Sequence, residues 1–497
     1  MGLMVSTLLK LAALLILLGL TNASPDKFNF GHCEKIVKRW ASSAVNQEAK
    51  ADAHTLRDLL FFLHVPRTGG RTYFHCFLKK LYSNSQECPR SYDKLRFDPS
   101  KAKCRLLVNH DDYSMMSKLP DERTSVVTIL RNPVDRVFST YEFSVEVAAR
   151  FLVHPNLTSA TNMARRLRAK TKGVSTLDIW PWKYLVPWMR EDLFARRDAR
   201  RRNGPIEVEG NDPYDMEEMV MPLHDYINDP IARDIIHNGA TFQVAGLTNN
   251  SYFTDAHEVR HCIMQYKELG DYALAVAKKR LDNMLYVGLT EEHRESATMF
   301  ANVVGAQVIS QLKSTKPGAA TAAAEETSEQ STILDPEPDD GQSQNTTSEQ
   351  ENGISTPGNA ETGKGNMTVN KLMGAYESCI STLRKSQSRR RVTSLKHIAP
   401  ANFTKEARLH VSAAVLREIK SLNSLDLELY EYAQEIFAKQ HSLSNQKLLT
   451  TESFGGIISS SYSITPWNLV LLASPLILLV LFIFAFVRAR RTSKIKI

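Results

Sequence analysis

The chain has 497 residues, 43% of them hydrophobic, and a formal net charge of +8 at pH 7. This length exceeds one typical domain, so we expect a sizeable core domain with accessory segments. The basic charge suits anionic ligands, and the absence of Cys-x-x-Cys pairs or zinc-type His/Cys spacing argues against a metal site.

The two ends of the chain predict passage through the secretory pathway. Lys10 precedes the short apolar run Leu11–Leu20, which is typical of a cleaved signal peptide over residues 1–23. Leu469–Val487 is long enough to cross a membrane, and basic residues follow it at once. We therefore expect a single-pass type I protein with its main domain in the lumen, a compartment that excludes nucleic acid as a partner.

A strand, a loop and a helix follow one another early in the chain. Leu59–Val65 is an apolar run of strand length, and Tyr73–Tyr82 has apolar residues at helical spacing. Between them, the glycine loop Pro66–Thr72 has two adjacent glycines, so its backbone N–H groups can turn inward towards an anion. It matches only the end of the general phosphate-loop pattern, and an ordinary turn rich in glycine and threonine stays an alternative.

Two further strands are predicted at Arg105–His110 and Ser125–Leu130, and an Asn-Pro pair opens a helix after the second. Strands that alternate with helices predict an α/β fold with a parallel sheet, in which ligands bind beyond the carboxyl ends of the strands. The glycine loop, His110 and Arg131 all fall at this edge.

The second half of the chain contains one more strand and a long interruption. Met284–Leu289 is strand-like, and Thr290 is expected to cap the helix that follows. Residues 313–367 hold three lysines against ten acidic residues and have no periodicity, which predicts a disordered insertion. Helical patterns return at Val369–Leu383 and Leu416–Lys439, so the insertion interrupts one domain. The predicted segments are a signal peptide (1–23), the lumenal domain (24–312 and 368–441), the insertion (313–367), a stem (442–468), the transmembrane helix (469–487) and a cytoplasmic tail (488–497).

The cysteines and glycosylation motifs fit a lumenal address. Six cysteines in an oxidising compartment predict disulfides, and Cys88 with Cys104 would close a short loop. Sequons begin at Asn156, Asn249, Asn345, Asn366 and Asn402.

Charged and hydroxyl side chains accompany the predicted sheet edge. Arg67 and Arg71 add charge to the glycine loop, and its threonines add hydroxyl groups. Arg131, with Ser139 two turns into the next helix, could hold a second phosphate, although Arg131 alone could equally be a structural ion-pair partner.

His110 is the candidate general base, because its ordinary pKa of about 6.5 lies near a working pH. Asp111 or Asp112 could orient its ring. A histidine at a strand end is also commonly a structural residue.

Phe62–Thr72 resembles the donor 5′-phosphosulfate loop of the heparan sulfate 6-O-sulfotransferases, and Leu130–Tyr141 resembles their 3′-phosphate element. The resemblance continues at Met284–Glu291 and Leu422–Phe437, so it covers most of the predicted lumenal chain. Together with the signal peptide and C-terminal anchor, the sequence is similar to the plant tyrosylprotein sulfotransferases, a family of type I Golgi membrane enzymes.

This resemblance implies the P-loop-like sulfotransferase fold and 3′-phosphoadenosine 5′-phosphosulfate (PAPS) as co-substrate, without a metal. It implies that Arg131 and Ser139 hold the 3′-phosphate and that His110 is the catalytic base. Arg67 departs from the 6-O-enzymes, which have lysine there. The residues implied to cradle the phosphosulfate are Arg67, Thr68, Gly69, Gly70, Arg71 and Thr72.

The implied reaction is in-line transfer of a sulfuryl group to tyrosine hydroxyls of secreted peptides and proteins in acidic contexts. Arg67 and Arg71 would also be catalytic by offsetting negative charge on the transferred group. The motifs do not separate a phenol from a primary hydroxyl, so a glycan 6-O-sulfotransferase is the alternative. A kinase-type or nucleotide-hydrolysing protein would need Mg²⁺ and a lysine in place of Arg71, and a non-catalytic receptor would not bind PAPS.

Two further features have both a functional and a structural interpretation. Trp180, Trp182 and Trp188 could wall an acceptor cleft, or they could pack in the core. Arg389–Arg391 could attract acidic peptides, or it could be a solvated loop.

Overall fold

The structure is a computed structural model, and the chain separates into two compact units, Met1–His441 and Ser442–Ile497. The predicted signal peptide, transmembrane segment and cytoplasmic tail and the three tryptophans lie outside the described residues. Within the part of the chain that the structure describes, no helix is both long and apolar enough to cross a membrane. The structure describes residues 29–47, 54–89, 98–99, 101, 103–160, 162, 191–203, 212–215, 221–314, 367–396 and 403–455.

A parallel four-stranded sheet forms the centre of the first unit, with strand order β2-β1-β3-β4. Each strand is a continuous run of mostly apolar residues, as expected for strands covered on both faces by helices, and every residue of β1, β3 and β4 is buried. All four predicted strands are confirmed. Their bounds are β1 (Leu59–Leu63), β2 (Leu106–Asn109), β3 (Thr124–Leu130) and β4 (Tyr286–Leu289).

Helices account for most of the remaining described chain. The α-helices are α1 (Phe30–Gln47), α2 (Gly70–Tyr73), α3 (Lys79–Leu81), α4 (Pro133–Phe151), α5 (Glu191–Asn203), α6 (Leu223–Tyr226), α7 (Pro230–Ile236), α8 (Gly239–Val244), α9 (Ala256–Gln265), α10 (Gly270–Asp282), α11 (His293–Phe300), α12 (Ala306–Ser314), α13 (Val369–Leu395), α14 (Lys405–Leu409), α15 (Ala413–Leu422) and α16 (Ser424–Gly455). The π-helical segments are Phe74–Leu78 and Ala301–Gly305, and the 3₁₀ turns are Asn84–Gln86, Tyr113–Lys118, Asp121–Arg123 and Lys267–Leu269.

The two helices that open at the sheet edge follow from local sequence. The helix predicted over Tyr73–Tyr82 is confirmed and begins earlier, at Gly70, running through the first π-helical segment into α3. At the start of α4, the Asn132 side chain accepts hydrogen bonds from the N–H groups of Val134 and Asp135, and Pro133 occupies the first helical position.

Three disulfides lie in the described part of the first unit. The predicted Cys88–Cys104 bond is confirmed. Cys33–Cys262 joins α1 to α9, and Cys76–Cys379 joins the π-helical segment after α2 to α13 over a sequence separation of 303 residues. Only the second of these long-range bonds joins segments that lie on opposite sides of the predicted insertion in the sequence.

In the second half of the chain, the structure differs in part from the predictions for Thr290, for the start of the insertion and for the last predicted helix. Thr290 does not cap a helix, because its hydroxyl donates to the carbonyl of Leu130 and α11 begins later, after Glu292. The helix α12 continues to Ser314, and residues 315–366 lie outside the described residues, so the insertion stays a prediction. The pattern at Leu416–Lys439 is confirmed as helical but is broken at Asn423 between α15 and α16.

A buried ion pair fixes α8 beside the sheet. Nη2 of Arg136 donates to Oδ2 of Asp426 at 2.8 Å, and both side chains are 1% exposed. Oδ1 of Asp426 accepts from the N–H and the hydroxyl of Thr241, each at 2.7 Å, while Oδ2 also accepts from the N–H of Ala240. The carboxylate therefore satisfies the first turn of α8 and attaches that helix to α4 and α16.

Candidate active site

The glycine loop is a tight turn with left-handed backbone at two positions. Arg67 has φ +66° and Gly69 has φ +82°. Glycine adopts this region freely, whereas a residue with a side chain costs about 1–2 kcal/mol there. The hydroxyl of Thr68, only 1% exposed, donates to the carbonyl of Val65 at 2.8 Å, so this side chain supports the shape of the turn. Strain of this kind at Arg67 is typical of a functional site.

Gly70 is required by a close approach rather than by its backbone angles. A Cβ atom at this position would lie 2.3 Å from Cδ2 of His64. The imidazole of His64 therefore rests directly on the first residue of α2, next to half-buried Arg71 and Thr72. A larger residue at position 70 would displace His64.

Arg67 connects the glycine loop to α4. Its Nε donates to Oγ of Ser139 at 3.1 Å, and its guanidinium carbon lies 4.4 Å from the centroid of the Phe143 ring. Ser139 is 5% exposed. The residues predicted to bind the two ends of a donor nucleotide are thus brought together at one place.

Arg131 is the second cation at this edge. Its Nη1 donates to the carbonyl of Arg67 at 3.2 Å. Its pKa is lowered by burial and next by the positive charge of Arg67, which outweigh the opposing effect of Asp135 and Glu291. Two close cations in a partly dry place favour a bound anion, because an anion would relieve their repulsion.

The carboxylate of Glu291 only partly offsets the positive charge of Arg131. Its Oε1 lies 3.9 Å from Nε of Arg131, a long ion pair, and accepts from the N–H of Asn132 at 3.0 Å. Its Oε2 accepts from the hydroxyl of Tyr430 at 2.7 Å. The carboxylate is therefore held in place by these other donors rather than by a close ion pair with Arg131.

His110 follows the last residue of β2. Its Nδ1 lies 3.3 Å from the carbonyl oxygen of His64, and the two imidazole rings are 4.4 Å apart between centroids. A neutral imidazole placed in this way carries its proton on Nδ1, which leaves Nε2 as the basic nitrogen. The pKa of His64 is lowered well below its usual value by burial, then by His110 and Arg67, so His64 is neutral near pH 7.

The two aspartates after His110 have different surroundings. Asp112 caps the 3₁₀ turn by accepting from the N–H and hydroxyl of Ser114, and its other oxygen accepts from the N–H and hydroxyl of Thr248. Burial raises the pKa of Asp112 and outweighs these hydrogen bonds, which lower it. Both of its oxygens hold the 110–114 segment in place, and the ring of His110 faces the carbonyl of His64. Asp111 accepts from the side-chain amide of Asn109 at 3.1 Å.

Two residues at this edge escape detection from sequence. Nε2 of Gln243, on α8, lies 3.1 Å from each of the carbonyl oxygens of His64, His110 and Asp111. The hydroxyl of Thr290 lies 2.8 Å from the carbonyl of Thr68 and fastens the glycine loop to the end of β4. A single glutamine on a six-residue helix has no sequence signal, and Thr290 looks like a helix cap in the sequence.

The arginine run at 389–391 lies within α13, so its interpretation as a solvated loop is wrong. Nη2 of Arg391 donates to Oε2 of Glu142 at 3.2 Å, while Arg408 binds the other oxygen of Glu142 and also Asp135. Arg391 thus joins α13 to α4.

In the described ranges, no cluster of three or more histidine, cysteine, aspartate or glutamate side chains could hold a metal ion.

Comparison with known proteins adds one informative match. No protein-family model matches the chain. A curated protein named protein-tyrosine sulfotransferase, from Arabidopsis thaliana, is 58% identical over 503 aligned residues, which cover 98% of this chain and 99% of that protein.

Proposed function

The chain belongs to the protein-tyrosine sulfotransferase family and is a sulfotransferase, and we propose that it transfers the sulfuryl group of PAPS to tyrosine hydroxyls of secreted peptides and proteins in acidic contexts. The observation that carries the proposal is the meeting of Arg67, Arg131, Ser139 and His110 at one edge of the parallel sheet. Such an edge is where α/β folds bind their ligands.

The chemistry of this edge fits a donor with two separate anionic groups. PAPS carries a phosphosulfate at one end and a 3′-phosphate at the other, and the site offers two cations whose charges repel each other. We assign the 3′-phosphate to Arg131 and Ser139. The phosphosulfate is assigned to the glycine loop, through Arg67, Thr68, Gly69, Gly70, Arg71 and Thr72.

The proposed reaction is an in-line displacement at sulfur. The phenol oxygen of the acceptor forms a bond to sulfur as the bond between sulfur and the bridging phosphate oxygen breaks, which releases adenosine 3′,5′-bisphosphate. The phenol proton passes to Nε2 of His110, because a free phenol ionises only near pH 10. Arg67 and Arg71 offset the charge on the sulfuryl oxygens and the leaving group.

We further propose that the enzyme works in the Golgi membrane as a type I protein with its catalytic unit in the lumen. The support is the apolar leader and the apolar C-terminal segment followed by basic residues. Protease added to intact vesicles should spare the catalytic unit. Digestion of that unit without detergent would refute this topology.

The test of function offers ³⁵S-labelled PAPS with an acidic tyrosine peptide, the same peptide with phenylalanine in place of tyrosine, and heparan sulfate. Label should enter the tyrosine peptide alone. Label on the glycan alone would favour the 6-O-sulfotransferase alternative. His110→Ala should abolish transfer to the peptide, and turnover close to that of the wild type would reject His110 as the base.

A further inference from the structure

The side chain of Gln243 contacts the backbone of both histidines at the sheet edge. Its Nε2 lies 3.1 Å from the carbonyls of His64 and His110, and the side chain is 4% exposed. It also reaches the carbonyl of Asp111. These carbonyls follow β1 and β2, so one amide group connects the ends of two adjacent strands.

The carbonyl of His64 has two donors, and this sharing links Gln243 to the imidazole of His110. The oxygen lies 3.1 Å from Nε2 of Gln243 and 3.3 Å from Nδ1 of His110. The orientation of this peptide group therefore decides which nitrogen of His110 carries the proton. In serine hydrolases a carboxylate performs this orienting role for the catalytic histidine; here a backbone carbonyl is in the corresponding position.

The position of Gln243 is itself fixed from both ends of α8. At the first turn, the buried carboxylate of Asp426 holds the N–H groups of Ala240 and Thr241. At the last turn, Nη1 of Arg280 donates to the carbonyl of Val244 at 3.2 Å. A glutamine on a helix held in this way presents its amide to the strand ends with little freedom.

We propose that Gln243 is a positioning residue for sulfuryl transfer, which holds the carbonyl of His64 where it orients Nδ1 of His110 and leaves Nε2 facing the acceptor. Gln243 touches neither substrate nor the reacting atoms in this role. The proposal rests on the proposed function of His110 as the base, and in it the carbonyl of His64, held by Gln243, orients the ring in place of Asp111 or Asp112.

Two substitutions separate this role from a purely structural one. Gln243→Met keeps the length of the side chain and removes both amide hydrogens. It should lower kcat by about ten- to a hundredfold, the range found when a metal-bound histidine loses the partner that orients its ring. The KM for PAPS and the Kd for adenosine 3′,5′-bisphosphate should stay within about twofold of the wild-type values, a change much smaller than the tenfold loss that about 1.4 kcal/mol of binding free energy would cause.

Gln243→Glu provides a pH signature. A buried carboxyl facing three carbonyl oxygens is protonated more readily than usual, and only its protonated form can donate to the carbonyl of His64. Turnover relative to the wild type should therefore rise as the pH is lowered from about 7.5 to about 5.5, across the raised carboxyl pKa. Gln243→Met should show no such recovery, and if that variant fails to fold, the pH dependence of Gln243→Glu decides the question.

The matched control is Gln307→Met, at a half-buried glutamine whose Nε2 also donates to backbone carbonyls, those of His54 and Val303. It should lower the unfolding temperature and leave kcat unchanged.

Wild-type turnover in Gln243→Met, or loss of bisphosphate binding in step with kcat, would overturn the proposal. His110→Ala is run beside them. If it keeps turnover, the base assignment fails as well; if it is inactive while Gln243→Met is active, only the role of Gln243 fails.

Discussion

Nε of Arg67 lies 3.1 Å from Oγ of Ser139, although the two residues are separated by 72 positions in the chain. The contact joins the turn after β1 to the second turn of α4. Two elements that bind opposite ends of a donor in the proposed function are therefore directly coupled through one hydrogen bond. The guanidinium also rests on the ring of Phe143, so its direction is set before any ligand binds.

Ser139→Ala should weaken donor binding. The substitution removes the acceptor of Arg67 and one proposed ligand of the 3′-phosphate, and a hydrogen bond to a charged group contributes about 1.5 kcal/mol, or roughly tenfold in affinity. Titration calorimetry with adenosine 3′,5′-bisphosphate measures the change. Ser144→Ala is the control, because Ser144 lies on the same helix and bonds to Tyr226 and Thr140. An equal loss of affinity in both variants would contradict a specific role for Ser139.

Gly70→Ala should reduce turnover and stability together. The added methyl would meet the ring of His64 at 2.3 Å, so the ring must move, and overpacking of this kind costs about 1–3 kcal/mol. Urea denaturation and kcat provide the two measurements. Gly374→Ala is the matched control at an exposed position of α13, where nothing lies within 4 Å of the new methyl and alanine should stabilise the helix. Normal turnover in Gly70→Ala would show that the position of His64 does not matter.

Acid should destabilise the first unit partly through His64. The pKa of this imidazole is lowered in the folded chain by burial, whereas the unfolded chain takes up its proton near pH 6.5. Below about pH 6.5 the unfolded state binds more protons, so the free energy of unfolding falls by up to about 1.4 kcal/mol per pH unit until the folded pKa is reached. Above that window His64 contributes no dependence.

His64→Asn should therefore make this acid-side slope shallower in urea denaturation at a series of pH values. His257→Asn, at an exposed position of α9, is the control for the loss of an imidazole. An unchanged slope in His64→Asn would mean that other groups, among them His237 and His293, whose pKa values are also lowered by burial, account for the effect.

Asp426→Asn should be strongly destabilising. It leaves the guanidinium of Arg136 buried without its counter-charge, and breaking one side of such a pair costs about 3–5 kcal/mol. The free energy of unfolding from denaturant titration measures the loss. Glu34→Gln, which breaks the exposed ion pair with Lys38 on α1, should leave the unfolding midpoint nearly unchanged. Similar effects in the two variants would mean that the buried pair adds little.

The strands and the location of the site were predictable because they depend on local composition. Leu59–Val65 and Ser125–Leu130 are apolar runs with few alternatives, and the end of each strand places its next residue at the ligand-binding edge. Cys88 and Cys104 were pairable because they are close in sequence. These features need no knowledge of distant contacts.

What escaped prediction depends on long-range partners. Thr290 has the composition of a helix cap, but the carbonyls of Thr68 and Leu130 compete for its hydroxyl. Asp112 could have oriented His110 on sequence grounds, yet donors from Thr248 occupy it. Gln243 acquires its place only when α8 packs beside the strand ends.

The two long-range disulfides overlap along the chain, since Cys33–Cys262 and Cys76–Cys379 together enclose every bond from residue 33 to residue 379. One proteolytic cut anywhere in that interval leaves both fragments covalently joined. A nicked enzyme should therefore run as a single band on a non-reducing gel and separate into two bands only after dithiothreitol.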